Sequence, residues 1–185
     1  MNAAELLKQY QTGIRNFRGT NLVRVNFQNA NLNQIDFTEA TLVEANFTEA
    51  NLEGAIFDRA ALDLSNFSQT KLIQASLRSA SLKSAMLYKA ALGKAQLQKA
   101  NLSLAILKRG FLRDANLSQA KLVAADLSQA NLIDANFTGA DLTQANLAGA
   151  FLQGANLTRA SLKDVDLRDT VLTGAIMPNG KVFVE

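Results

Sequence analysis

The sequence predicts a solenoid, a chain wound into a rod around one apolar axis. Three observations carry this reading. Stepping by five from Phe17 through Leu22, Phe27, Leu32, Phe37 and Leu42 to Leu172, every residue is Leu or Phe, and Met177 extends the series. Two residues before most of these lies a small side chain, usually Ala, as in the unbroken series from Ala115 to Ala160. Between the two, Asn or Asp is frequent, as at Asn31, Asn46, Asn51, Asn131 and Asn136. The unit therefore reads A-N-L-x-x, for example Ala30 to Gln34. A period of five fits neither the 3.6 residues of a helical turn nor the alternation of a strand. A helix would smear the Leu residues around its axis, and a strand would send them to both faces in turn. The chain must turn once per unit, with the large residue and the small one inside and the other three outside. No unit is inserted or deleted along the series, so no long protruding loop is expected.

This pattern resembles the pentapeptide-repeat family, and it covers Phe17 to Leu172, about four fifths of the chain. The resemblance implies an all-β fold, a right-handed quadrilateral β-helix in which four units close one coil. Thirty-two units then give about eight coils, and at about 4.8 Å per stacked strand the rod is about 38 Å long. Stacking by twenty places Phe17, Phe37 and Phe57 on one face and Phe27, Phe47 and Phe67 on the opposite one. Paired Phe stacks should cross the core of the first coils, with Leu filling most of the rest.

Each end needs a cover, because an open coil presents unpaired backbone groups. Asn2 and Glu5 have the spacing of a capping box, Leu6, Leu7 and Tyr10 form an apolar stripe, and Gly13 is a stop signal. A short α-helical cap over residues 3–12 is expected across the first coil. Pro178, Asn179 and Gly180 make a turn, after which Val182 and Phe183 are expected to fold over the last coil. The domain reading is one unit over 1–185: the helical cap at 3–12, the β-helix over 15–177 and a C-terminal cap over 178–185. With both ends covered, the expectation is a monomer.

The chain has 185 residues, enough for a sizeable core. It has no Cys and no His, so disulfides, the usual transition-metal ligands and the commonest general base are all missing. No metal, cofactor or small-molecule substrate is expected. The absence of Cys fits a reducing cytoplasm, and no apolar run approaches the roughly 20 residues that span a bilayer. Carboxylates are scattered over outward positions without an acid–base constellation, and Gly-rich phosphate loops are absent. These features exclude the common enzyme classes.

Charge is banded along the rod. Between Asp36 and Asp63 lie seven acids (Asp36, Glu39, Glu44, Glu49, Glu53, Asp58 and Asp63) and one base, Arg59. From Leu64 to Arg113 there are nine bases and no acid. The basic band also breaks the outward polar pattern: Met86, Ile106 and Phe111 stand where Asn or Asp is usual, and Gly110 replaces Ala. Met86, Tyr88, Lys89, Ile106, Lys108, Arg109, Phe111 and Arg113 are therefore the candidate partner-binding patch. Exposed apolar and aromatic residues among Arg and Lys have the composition of a protein-binding hot spot.

The leading functional expectation is a non-enzymatic protein-interaction scaffold with an unknown protein partner. ELLKQYQTGIRNFRGTNL before the repeats and GAIMPNGKVF after them are similar to the ends of cyanobacterial pentapeptide-repeat proteins that regulate heterocyst differentiation. That resemblance implies a regulator that binds a transcription factor. An alternative within the family is a DNA-mimic inhibitor of DNA gyrase, but such rods are strongly acidic and this one carries a net charge of +3. Direct nucleic-acid binding by the basic band is the second alternative. It ranks lower because flanking acids would repel a duplex and no stacking row of aromatics is present.

Overall fold

Apart from those at the two ends, the units make the same four backbone bonds, and the unit around Leu92 shows them. Leu92 N–H donates to the Phe111 carbonyl at 2.7 Å and Lys94 N–H to the Arg113 carbonyl at 3.0 Å, both in the following coil. Ala91 N–H donates backwards to Thr70 at 2.9 Å, and Ala95 N–H closes a turn on Leu92 at 3.0 Å. The computed structural model, which describes residues 1–184, repeats this pattern along the rod. The resulting parallel bridges join residues twenty apart, from Asn16 with Asp36 to Asn156 with Ile176. Four five-residue units therefore complete one coil of a β-helix solenoid, whose sides are single bridges.

The corners explain why the period is five. In each turn only the third residue has positive φ, between 54° and 63° for the non-Gly cases such as Ala124 and Leu104. That is the pattern of a type II turn, which glycine would fill without strain. Here Lys, Gln, Glu and Arg mostly occupy it, each at a conformational cost that the buried file of Leu and Phe offsets.

Four faces result. Face I holds the inward residues from Phe17 to Leu157, face II from Leu22 to Leu162, face III from Phe27 to Leu167, and face IV from Leu32 to Leu172. Leu72, Leu92 and Leu112 are fully buried, as are nearly all the Ala residues two positions before the inward ones. In the first coils, Phe27, Phe47 and Phe67 stack on face III, the last two at 4.9 Å with rings 7° apart. Phe57 of face I meets Phe47 and Phe67 edge-on at 5.9 Å, so the two files interlock across the axis.

Helix α1 spans Ala3–Gln11. Asn2 Oδ1 accepts from Glu5 N–H at 2.9 Å while Glu5 Oε2 accepts from Asn2 N–H at 3.0 Å, a complete capping box. Leu6 and Tyr10 are buried against the first coil, and the Tyr10 hydroxyl donates to Asn33. Arg15 lies over the Tyr10 ring, 3.7 Å from its centre.

The C-terminal end is closed only in part. After Pro178 the chain reverses, Ile176 pairs antiparallel with Val182, and Phe183 N–H bonds Ala175 at 2.7 Å. Phe183 packs against the core, whereas Val182 is 56% exposed. The expectation that both would cover the last coil holds for Phe183 alone, because antiparallel pairing sends adjacent side chains to opposite sides. Leu162, Val165 and Leu167 stay half-buried. The C-terminal cap reading extended to Glu185, which lies outside the described residues. Among the described residues, no helix is long and apolar enough to cross a membrane.

Candidate functional site

The outward Asn and Asp residues have a definite task. The four backbone bonds of a unit leave one N–H unused, that of the residue after the inward one. An Asn or Asp two positions earlier accepts it: Thr48 N–H donates to Asn46 Oδ1 at 3.0 Å, and Thr138 N–H to Asn136 Oδ1 at 2.9 Å. Some side chains also bond between coils, as Asn46 does to Asn26 at 3.1 Å. The frequent Asn is thus a turn-satisfying group.

Where the Asn is lost and no neighbouring carboxylate replaces it, the N–H has no acceptor among the described residues. On face IV the stretch between Asn51 and Asn131 carries Lys71, Ala91 and Phe111 in its place. Ile73, Gly93 and Arg113 N–H consequently have no acceptor among the described residues. On face III, Met86 and Ile106 have the same effect on Tyr88 and Lys108. On faces III and IV the basic band therefore also carries unused backbone donors, whereas on the other two faces Arg78 and Lys83 N–H donate to Asp58 and Asp63.

The eight sequence-derived residues divide between two adjacent faces. Met86, Tyr88, Lys89, Ile106, Lys108 and Arg109 lie on face III, where Met86 bridges Ile106 and Lys89 N–H bonds the Lys108 carbonyl at 3.1 Å. Phe111 and Arg113 lie around the corner on face IV. Met86, Ile106 and Phe111 are exposed, Phe111 most at 55%. The Lys89 ammonium sits 5.3 Å from the centre of the Tyr88 ring. The Arg109 guanidinium beside the Tyr88 hydroxyl, aided by Lys89, holds that phenol below its ordinary value. Arg109 also donates to Gln129 Oε1 at 2.7 Å, which ties it to the following coil as well.

Face IV adds a groove, of which the eight residues include only Phe111 and Arg113. Ala91 and Gly93 form its floor, Ile73 stands on one side and Phe111 on the other, and Lys94 and Arg113 edge it, with a cavity volume of about 370 Å³. Its signal in the sequence is a loss of bulk: Gly93 is the only glycine directly after an inward Leu or Phe.

The two charge bands differ in their pairing. In the acidic band, Arg24 pairs with Glu44 and Arg59 with Glu39, each at 2.8 Å between adjacent coils. In the basic band Arg78 reaches back to Asp58 at 3.8 Å, and Arg113 is shared between Asp134 at 3.3 Å and Asp114 at 3.9 Å. Lys71, Lys83, Lys89, Lys94, Lys99 and Lys108 form no ion pair among the described residues.

A family model for pentapeptide repeats, in eight copies, matches residues 20–59, 60–103, 112–147 and 135–174. The chain belongs to the pentapeptide-repeat family. Among solved pentapeptide-repeat structures it is similar to HetL of the cyanobacterium Nostoc sp. strain PCC 7120, described as involved in heterocyst differentiation regulation. The match has 30% identity, covers 99% of this chain and 100% of HetL, and has a TM-score of 0.80. A trypsin-treated form of QnrB1, a plasmid-mediated fluoroquinolone resistance protein, shares the fold at 20% identity over 85% of each chain, with a TM-score of 0.74. No curated protein sequence gives a match.

Proposed function

We propose that this pentapeptide-repeat protein is a non-enzymatic interaction rod whose mid-rod basic and apolar surface binds a protein partner. The observation that carries the reading is the conjunction on faces III and IV at mid-rod: Lys71, Lys89, Lys94 and Lys108, without ion-pair partners among the described residues, beside exposed Met86, Ile106 and Phe111. Exposed apolar groups ringed by uncompensated charge destabilise an isolated protein and favour a complex. A rigid solenoid offers that surface with little ordering cost on binding.

The specific role is a regulator that binds a transcription factor in a cyanobacterium. The likeness to HetL over nearly the whole of both chains supports it. DNA mimicry of the gyrase-inhibitor kind is disfavoured by the run of nine bases at mid-rod, uninterrupted by an acid. In this reading the chain over 1–185 is one cytoplasmic domain, a right-handed β-helix of about eight coils, without cofactor or small-molecule substrate. It acts as a monomer.

The test is capture of a partner from a cyanobacterial lysate with the unaltered protein and with a Lys89→Glu, Arg109→Glu double variant. Both residues are exposed, so folding should be unaffected. Loss of the captured partner with the double variant supports the reading. Equal capture by both proteins would sink it.

A further inference from the structure

Face IV between Asn51 and Asn131 combines three features. The first is the groove on Ala91 and Gly93, flanked by Ile73 and Phe111, which are 38% and 55% exposed. The second is a vertical file of outward backbone donors, Ile73, Gly93 and Arg113 N–H, unsatisfied because Lys71, Ala91 and Phe111 replace the Asn that would accept from them. The file is bounded on both sides by the normal arrangement: Asn51 accepts from Glu53 N–H and Asn131 from Ile133 N–H, each at 3.2 Å. The third is charge. Lys71 stacks against Ala91, and Lys94 edges the groove.

We propose that this face is the seat of an acidic segment of a partner protein, with one bulky apolar side chain held in the groove and carboxylates on the donor file. The proposal rests on the interaction-rod reading and names the partner chemistry and the seat. Successive donors of the file are one coil apart, about 4.8 Å, and each points outward where an acceptor can reach it. Carboxylates are the strongest common acceptors for such groups, and Lys71 and Lys94 supply the matching charge. The apolar floor selects a side chain rather than a phosphate backbone. Glu53 and Asp114 also line the groove, and Asp134 lies one coil beyond and pairs with Arg113, so the attraction for carboxylates is confined to the short span of Lys71, Lys94 and the donor file. The occupant is therefore a short acidic stretch of polypeptide and not nucleic acid.

Gly93 allows a clean test. Its φ is ordinary, and a Cβ there meets only the Arg113 carbonyl at 3.8 Å. Gly93→Leu therefore fills the groove without strain, and Lys94→Glu reverses the charge beside it. Thermal unfolding by circular dichroism checks that both variants fold. The probe is a phage-displayed library of short random peptides selected on the unaltered full-length chain. Enriched peptides should be acidic with one large apolar residue, and a synthetic copy should bind about tenfold or more weakly to each variant. Replacing its apolar residue by Ser should have the same effect.

An enriched motif that is not acidic, or one indifferent to Gly93→Leu, overturns the proposal. If that motif is instead lost with the Lys89→Glu, Arg109→Glu variant, the mid-rod surface still binds protein and only the groove assignment fails. No enriched motif at all sinks both. Labelled single-stranded and duplex DNA form the last arm: binding tighter than the peptide's, sensitive to Lys94→Glu but not to Gly93→Leu, also overturns the proposal.

Discussion

At the scale of single residues, two kinds of side chain hold the rod, and they should respond differently to removal. Leu72 is fully buried in the file on face IV. Leu72→Ala leaves a cavity between rigid coils that cannot collapse, and should cost about 2–5 kcal/mol in denaturant unfolding. Asn46 is outward, but its Oδ1 serves Thr48 N–H. Asn46→Ala frees that N–H to water, and the loss should be about 1 kcal/mol. Equal losses for the two would mean that the inward and outward roles are misassigned. The inward file was legible in the sequence, because only a large apolar side chain fills the axis and its spacing survives in every unit. The need for Asn was legible only as a frequency. Its reason depends on knowing which N–H each unit leaves over, which requires the backbone bonds themselves.

At the scale of elements, the capping box of α1 and the Pro178 turn were both visible as local patterns, since each is decided by residues within four positions. The fate of Val182 and Phe183 was not, because it depends on the register of a hairpin formed against Gly174 and Ala175. The groove escaped for a similar reason: it is built from missing bulk at Ala91 and Gly93, which gains meaning only beside Ile73 and Phe111. Near the C-terminal end, Arg168 grips Asp166 at 2.6 Å and lowers its carboxyl to about 2. The folded value lies below the unfolded one of about 3.9. The pair therefore stabilises the fold above about pH 4, and that contribution is lost as pH falls toward about 2. NMR titration of the Asp166 carboxyl should give a midpoint near the lower value, and Arg168→Ala should raise it toward the ordinary carboxylate range, though not fully, because the backbone N–H of residue 168 still donates to the carboxylate.

At the scale of the whole molecule, the banding of charge follows coil by coil, so the two lateral surfaces at mid-rod differ from those at either end. The expectation of a monomer assumed that both ends are covered. The N-terminal coil is, by α1, while Leu162, Val165 and Leu167 leave the other end half-covered. Sedimentation equilibrium should give one species of 19.9 kDa. A species of twice that mass would overturn the monomer and would point to the Leu162–Leu167 edge, where Leu162, Asp164, Leu167 and Asp169 N–H have no partner among the described residues.

Because the bridges between coils link positions twenty apart, the molecule tolerates some changes of length and forbids others. Duplicating Ala130 to Gly149 would insert one full lap beyond the mid-rod surface, leaving every later side chain pointing as before and merely lengthening the cylinder. Duplicating only Ala90 to Lys94 would rotate everything downstream by a quarter of a lap. Met86 would then lie beside Asn101 instead of Ile106, and the surface would be scrambled while the interior remained filled. A pair of such insertions, one silent for recognition and one not, would separate what the tube needs from what its reader needs.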